Sequence, residues 1–260
     1  TASSVMQFRI SSDFKVTSIS SASGSLPVRQ VGGVVYTRPP AGRSMILKLT
    51  YSGNAHHPDL FVGNYITAKE VVLSSYWYPC IARLPSTHAV TVTVPKGWTA
   101  IGQGDDLGKT AAGDSLIYKF KMKVPTIYFT MDAAPYSIYQ KVVNGRTYQV
   151  YLPTPDPTRG NKQVELMDAS FRLFEKLWGP YLWNKFTMVE TSQPGWPGAL
   201  EAYSFTTYGG GIIPGDNPHE WGHTWWGGFV PNTYLQDISN ESLATYSESV
   251  FYRRGKGASS

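Results

Sequence analysis

A proline-dense joint, Pro153-Thr154-Pro155-Asp156-Pro157, divides this chain of 260 residues into two differently patterned halves. Each proline fixes its own φ, removes a backbone donor and pushes the preceding residue toward extended backbone, so no strand ladder or helix runs through such a segment. Before the joint, apolar and polar residues alternate, the period of half-buried strands. Met45 to Tyr51, Ala89 to Val94, Leu116 to Val124 and Thr147 to Leu152 are the clearest cases. Turn sequences bound them, among them Pro95-Lys96-Gly97 and Asn144-Gly145, the second a strong hairpin signal.

After the joint the period changes. Val164, Met167, Phe171, Phe174 and Leu177 recur at intervals of three and four, the apolar stripe of an amphipathic helix that Gly179-Pro180 would stop. Phe186 to Glu190 reads as a strand. Asn217-Pro218 supplies an N-cap and a first-turn proline, Gly227-Gly228 an end, and a last helix is expected from about Ile238 to Arg253. The expectation is an α+β chain: an all-β sandwich or open-sheet domain over residues 1–153, then a mixed domain over 154–260.

Composition narrows the function classes. Charged residues make up 16% of the chain, below the ~25% usual for soluble domains, which argues against long solvated helices and disorder. The net charge of +5 is mild and its basic residues are scattered, so no nucleic-acid partner is expected. The single cysteine, Cys80, reads as a packed thiol and can close no internal disulfide. No apolar run reaches the ~20 residues of a transmembrane segment. The small-residue opening Thr1-Ala2-Ser3-Ser4 fits both a removed leader and a trimmed chain, so the compartment stays open, with export, periplasmic or extracellular, slightly favoured over the cytoplasm. Nothing in the sequence specifies an oligomeric state.

His219-Glu220-Trp221-Gly222-His223 carries the chemistry. On a helix, residues i and i+4 share a face, so both imidazoles can reach one metal ion, while Glu220 projects beside it to accept a proton from water. Composition alone would produce this pattern roughly 0.003 times in such a chain, so chance is a poor account of it. A catalytic zinc needs a third protein ligand and an open position. Asp237, Glu241 and Glu248 follow downstream. Glu241, early on the last helix, is the chosen third ligand, and Glu248, seven residues on and on the same face, is a candidate acceptor behind a ligand histidine. The cluster Trp221, Trp225 and Trp226 reads as helix packing.

The zinc helix and the phrase Asn240-Glu241-Ser242-Leu243-Ala244-Thr245-Tyr246 resemble the gluzincin aminopeptidases, the alanyl-aminopeptidase (aminopeptidase N) family. Gly198-Ala199-Leu200-Glu201-Ala202 resembles that family's Gly-x-Met-Glu-Asn strand, which lines the substrate cleft, and Phe174 to Tyr181 resembles its helix leading into the catalytic domain. The chain departs from the pattern in three ways. Residues 224 to 240 between His223 and Glu241 are one fewer than the family's usual interval, Leu200 and Ala202 stand for Met and Asn, and family members continue well past this length.

The resemblance implies a saddle-shaped β domain followed by the first part of a thermolysin-like metallopeptidase domain. It implies zinc held by His219, His223 and Glu241, with Glu220 as the catalytic proton acceptor. The substrate it implies is a peptide with a free N-terminus, its α-amino group bound by Glu201 beside Gly198 and Ala199. A tyrosine that stabilises the reaction intermediate lies beyond this length in the family, so the 260 residues are expected to be a fragment, or a very reduced relative, that binds zinc and hydrolyses weakly. Two alternatives stay open: a zinc endopeptidase with a cleft open at both ends, and a non-catalytic β binding module with a vestigial zinc site.

Overall fold

The computed structural model describes residues 5–42, 44–56, 63–81, 84–192, 198–209, 211, 217–230 and 238–255. Residues 1–4 and Asp237 lie outside the described residues. The first half begins with strands β1 (Met6–Arg9), β2 (Phe14–Ser21), β3 (Gly24–Leu26), β4 (Arg29–Val31), β5 (Val34–Thr37) and β6 (Lys48–Gly53). β7 (Asn64–Ile66), β8 (Val71–Leu73), β9 (Ser86–Pro95), β10 (Thr99–Gly102), β11 (Asp105–Ala112), β12 (Ser115–Thr126) and β13 (Met131–Ala134) follow. They pair antiparallel in four sheets, ordered β1-β5-β4, β3-β2-β6, β10-β13-β8-β7 and β11-β12-β9. Alternation explains their faces: Val92 and Val94 of β9 are buried while the neighbouring Thr91 and Thr93 are exposed. At one strand the alternation misleads. β6 starts at Lys48, and Ile46, which fits the alternating pattern, is 87% exposed.

The second half comprises β14 (Ser137–Val143), β15 (Arg146–Leu152), α1 (Pro157–Trp178), β16 (Lys185–Glu190), β17 (Ala199–Ala202), β18 (Phe205–Tyr208), α2 (Asn217–Gly222) and α3 (Ile238–Gly255). Its mixed sheet is ordered β14-β15-β16-β18-β17, with β15-β16 and β16-β18 parallel and both outer pairs antiparallel. All of β16 is buried, as a central parallel strand must be. Asn144 and Gly145 both take positive φ, which closes the β14-β15 hairpin with the twist the strands need.

The joint at 153–157 therefore lies inside this unit. Asp156 caps α1 by accepting from the Arg159 amide at 2.9 Å, Pro157 occupies the first turn, and Gly179 (φ 103) ends the helix. Division at 153/154 was the sequence expectation. Hydrogen bonding instead carries the β14-β15 hairpin across that line into the sheet of the second half.

Polar anchors tie the halves together. Lys185 of β16 is buried between the Phe120 and Phe205 rings and donates to the Gly102 carbonyl at 2.9 Å; burial pushes its ammonium down to about 8. Asp132 of β13 accepts from the Thr207 hydroxyl of β18 at 2.6 Å, and burial pushes its carboxyl up to about 8, the Thr207 bond opposing and Glu70 adding to the shift. Under the sheet, Phe171 of α1 meets the Tyr148, Tyr181, Phe186, Trp221 and Trp225 rings. This aromatic core seats α2.

Candidate metal centre

α2 is only six residues long, and tertiary packing holds it in place. Trp221, fully buried against Phe171, lies on the side opposite His219 and His223, so burying the indole turns both imidazoles away from that aromatic core and toward α3. Trp225 and Trp226 extend that packing, donating through Nε1 to the Gly179 carbonyl at 3.1 Å and to Ser247 Oγ at 3.0 Å. The helix stops at Gly222 instead of running to Gly227-Gly228. Past the His223 amide, which still reaches the His219 carbonyl, the chain tightens into a three-residue turn, Thr224 N–H to the Trp221 carbonyl at 3.2 Å. Gly222 also permits the closest approach of α3. A β-carbon there would lie 2.8 Å from Ser247 Cβ.

That approach brings Glu241, in the first turn of α3, to the histidines. Its Oε2 lies 3.3 Å from His219 Nε2 and 3.7 Å from His223 Nε2, and the two Nε2 atoms are 3.1 Å apart. For zinc bonded at about 2.0–2.1 Å, tetrahedral geometry separates neighbouring ligand atoms by about 3.4 Å. The triangle fits, and its N, N, O donor set suits a catalytic zinc. The Trp226 carbonyl, which can only accept, lies 3.3 Å from His223 Nδ1, so that nitrogen carries the proton and Nε2 presents a lone pair. Two ring nitrogens and a carboxylate oxygen thus converge, and only a proton or a cation among them relieves their repulsion. His223 is 2% exposed at its side chain and Glu241 is 61% exposed, so the site is closed behind and open in front.

The second row of contacts includes two residues to which the spacing argument gave no role. Asn240 Oδ1 lies 3.0 Å from His223 Nδ1, while Asn240 Nδ2 lies 3.4 Å from both Glu201 Oε1 and Glu241 Oε1. Thr245 Oγ1 lies 3.4 Å from His219 Nδ1. The asparagine in the sequence phrase could have flagged one of them, since an amide accepts at its oxygen and donates at its nitrogen and so can bridge an imidazole N–H and a carboxylate. Glu248 is half-buried on α3, two turns from Glu241.

Carboxylate oxygens of Glu201 and Glu220 and a ring nitrogen of His223 lie within 4.8 Å of one another, so both predicted acids face the histidine site. Glu201 belongs to β17, the terminal strand of its sheet, and its carbonyl accepts from Tyr128 Oη of the β half at 3.1 Å. Ala199 pairs with Tyr208, and the Gly198 carbonyl accepts from the Gly209 amide at 2.9 Å, fixing the start of that strand.

No family model matches the chain. Among curated proteins it is similar to mouse Aminopeptidase B, 23% identical over 192 residues, covering 70% of this chain and 29% of that protein. Mouse Aminopeptidase RNPEPL1 is 24% identical over 205 residues, covering 74% of this chain and 28% of that protein. The chain thus spans less than a third of the curated relatives it matches. Among solved structures, an M1 zinc metallopeptidase from Deinococcus radiodurans superimposes with a TM-score of 0.79 at 21% identity, over 98% of this chain and 64% of that one. Legionella pneumophila aminopeptidase A in complex with aspartic acid gives 0.81 at 12% identity, over 98% and 34%.

The fold is therefore that of the M1 zinc metallopeptidases: an N-terminal β domain with the first part of a catalytic domain. The resemblance to the gluzincin aminopeptidases, first carried by the zinc-helix motif, is supported by the sequence relatives and the structural neighbours alike. No helix among the described residues is long and apolar enough to cross a membrane.

Proposed function

We propose that this chain is the zinc-binding part of an aminopeptidase, a hydrolase that removes N-terminal residues from peptides. One observation carries the reading: the His219, His223 and Glu241 ligand atoms stand 3.1, 3.3 and 3.7 Å apart, the spacing a tetrahedral zinc requires. Bound there, zinc supplies a Lewis acid that activates water for hydrolysis.

The protein's own residues do the remainder. Glu220, next in sequence to one ligand and facing the other, takes a proton from the attacking water and returns it to the leaving amine. Glu201 faces the same space from the edge strand β17 without belonging to the ligand triangle. A carboxylate so placed pairs with a protonated α-amine and selects the free end of a peptide; that placement favours the exopeptidase reading over an endopeptidase. β17 is an edge strand, so its outer backbone groups can pair with an extended peptide, starting at Gly198 and Ala199. Among solved neighbours, one Deinococcus radiodurans metallopeptidase is bound to a Tyr-Ser-Ala substrate.

Metal analysis and peptide hydrolysis test the assignment together. The Glu220→Gln protein should retain stoichiometric zinc and lose at least about a hundredfold in turnover, the usual contribution of a general base. An N-terminally blocked peptide should be resistant while its free-amine counterpart is cut. Loss of zinc from the Gln variant, or equal cleavage of both peptides, would contradict these roles.

A further inference from the structure

Asn240 is 3% exposed, and its amide lies among three polar partners. The His223 ring must bear its proton on Nδ1, because the acceptor-only Trp226 carbonyl faces that nitrogen. Asn240 Oδ1 at 3.0 Å is the second and closer acceptor for the same proton. The other end of the amide, a donor, lies 3.4 Å from the Glu201 and Glu241 carboxylates. Turning the amide over would set an N–H against an N–H and an oxygen against two carboxylates. The neighbours therefore admit one orientation.

The surroundings are built to keep it. Gly227 takes a φ of +101°, and a β-carbon there would lie 2.2 Å from Asn240 Oδ1. A side chain at 227 would occupy the space the amide needs. Tyr203 Oη donates to the Gly227 carbonyl at 3.2 Å, holding that wall in place.

We propose that Asn240 is a positioning residue for the metal: its oxygen holds the proton on His223 Nδ1, keeping Nε2 free to ligate, and its nitrogen holds Glu241 beside that ring. This rests on the zinc reading of the site. Groups behind ligand histidines typically contribute 10- to 100-fold in metal affinity. Asn240→Leu, close in shape and without polar atoms, removes both functions. Asn240→Asp keeps the acceptor for His223 and removes the donor to Glu241.

The test measures zinc affinity by competition with a chromogenic chelator, together with the histidine-ring ¹⁵N spectrum of the metal-free protein. Zinc affinity should fall about 10- to 100-fold in Asn240→Leu and lie between that value and wild type in Asn240→Asp. The wild-type His223 ring should carry its proton on Nδ1. Should Asn240→Leu fail to fold by circular dichroism, Gly227→Ala, which displaces the amide from outside, should lower the affinity in the same direction. Wild-type affinity in the Leu variant, an Asp variant as weak as Leu, or a wild-type ring protonated on Nε2 would each overturn the assignment. A wild-type protein with the Nδ1–H ring that takes up no zinc would instead sink the zinc reading while supporting the proton placement.

Discussion

Replacing Asp132 by Asn should remove a specific slope from the pH dependence of stability. The Asp132 carboxyl is buried, accepts from Thr207 at 2.6 Å and has its pKa raised to about 8 by burial, with Glu70 adding to the rise. An unfolded aspartate titrates near 3.9. A proton held more tightly by the folded state stabilises it, so this contribution is complete below about pH 3.9 and is lost as pH rises through about 8. Within that window each pH unit is worth about 1.4 kcal/mol, less near its upper end, so wild type should lose about 2 kcal/mol between pH 6 and 8 from this group. An Asn side chain keeps an acceptor for the Thr207 hydroxyl and does not titrate.

Urea unfolding of both proteins at half-unit steps from pH 5 to 9 gives the difference curve directly. The stability of wild type minus that of Asp132→Asn should fall by about 2 kcal/mol from pH 6 to 8 and level off above about pH 9. A flat difference would mean that Asp132 is already ionised in the folded protein, and that burial does not govern this contact between the two halves.

Gly227→Ala combines a strained φ of +101° with a β-carbon 2.2 Å from Asn240 Oδ1, so it should lower stability by about 1–3 kcal/mol. Zinc affinity should fall with it; thermal melts and chelator competition read the two effects, and unchanged affinity would count against the Asn240 slot. Gly160→Ala sets two known effects in opposition. Helix propensity favours Ala by up to about 1 kcal/mol, but a β-carbon at 160 would lie 2.2 Å from the Tyr139 ring, whose hydroxyl also accepts from the Asp156 amide at the helix cap. Overpacking of about 1–3 kcal/mol should win, giving a lower melting temperature; a higher one would show that α1 lifts freely from β14.

Where the information was local, the sequence disclosed it. Alternation placed β9, β12 and β15, and the stripe from Val164 to Leu177 with its Gly179-Pro180 stop placed the body and end of α1, whose first turns begin at Pro157 inside the segment read as a joint. The His219/His223 pairing follows from helix geometry alone, and Glu241 meets it because α3 packs closely at Gly222. Facts fixed by non-local pairing could not be read so. Strands β14 and β15 alternate like any in the first half, and only their register with Phe186 and its neighbours assigns them to the second. The early end of α2 reflects Trp225 and Trp226 seeking partners at Gly179 and Ser247, contacts no periodicity encodes. Asn240 and Thr245 stand in plain sight in the motif phrase, yet what they touch depends on how two helices cross.

The hairpin that crosses the proline joint also governs how the molecule can be taken apart. A piece cut to begin at residue 154 would leave β16 with one whole side of its backbone unmatched, an apolar strand edge open to self-association. A cut near residue 135, between β13 and β14, spares every ladder of the five-stranded sheet. Recombination or excision that respects ladders should therefore keep the five-stranded sheet paired where one that follows the prolines opens it.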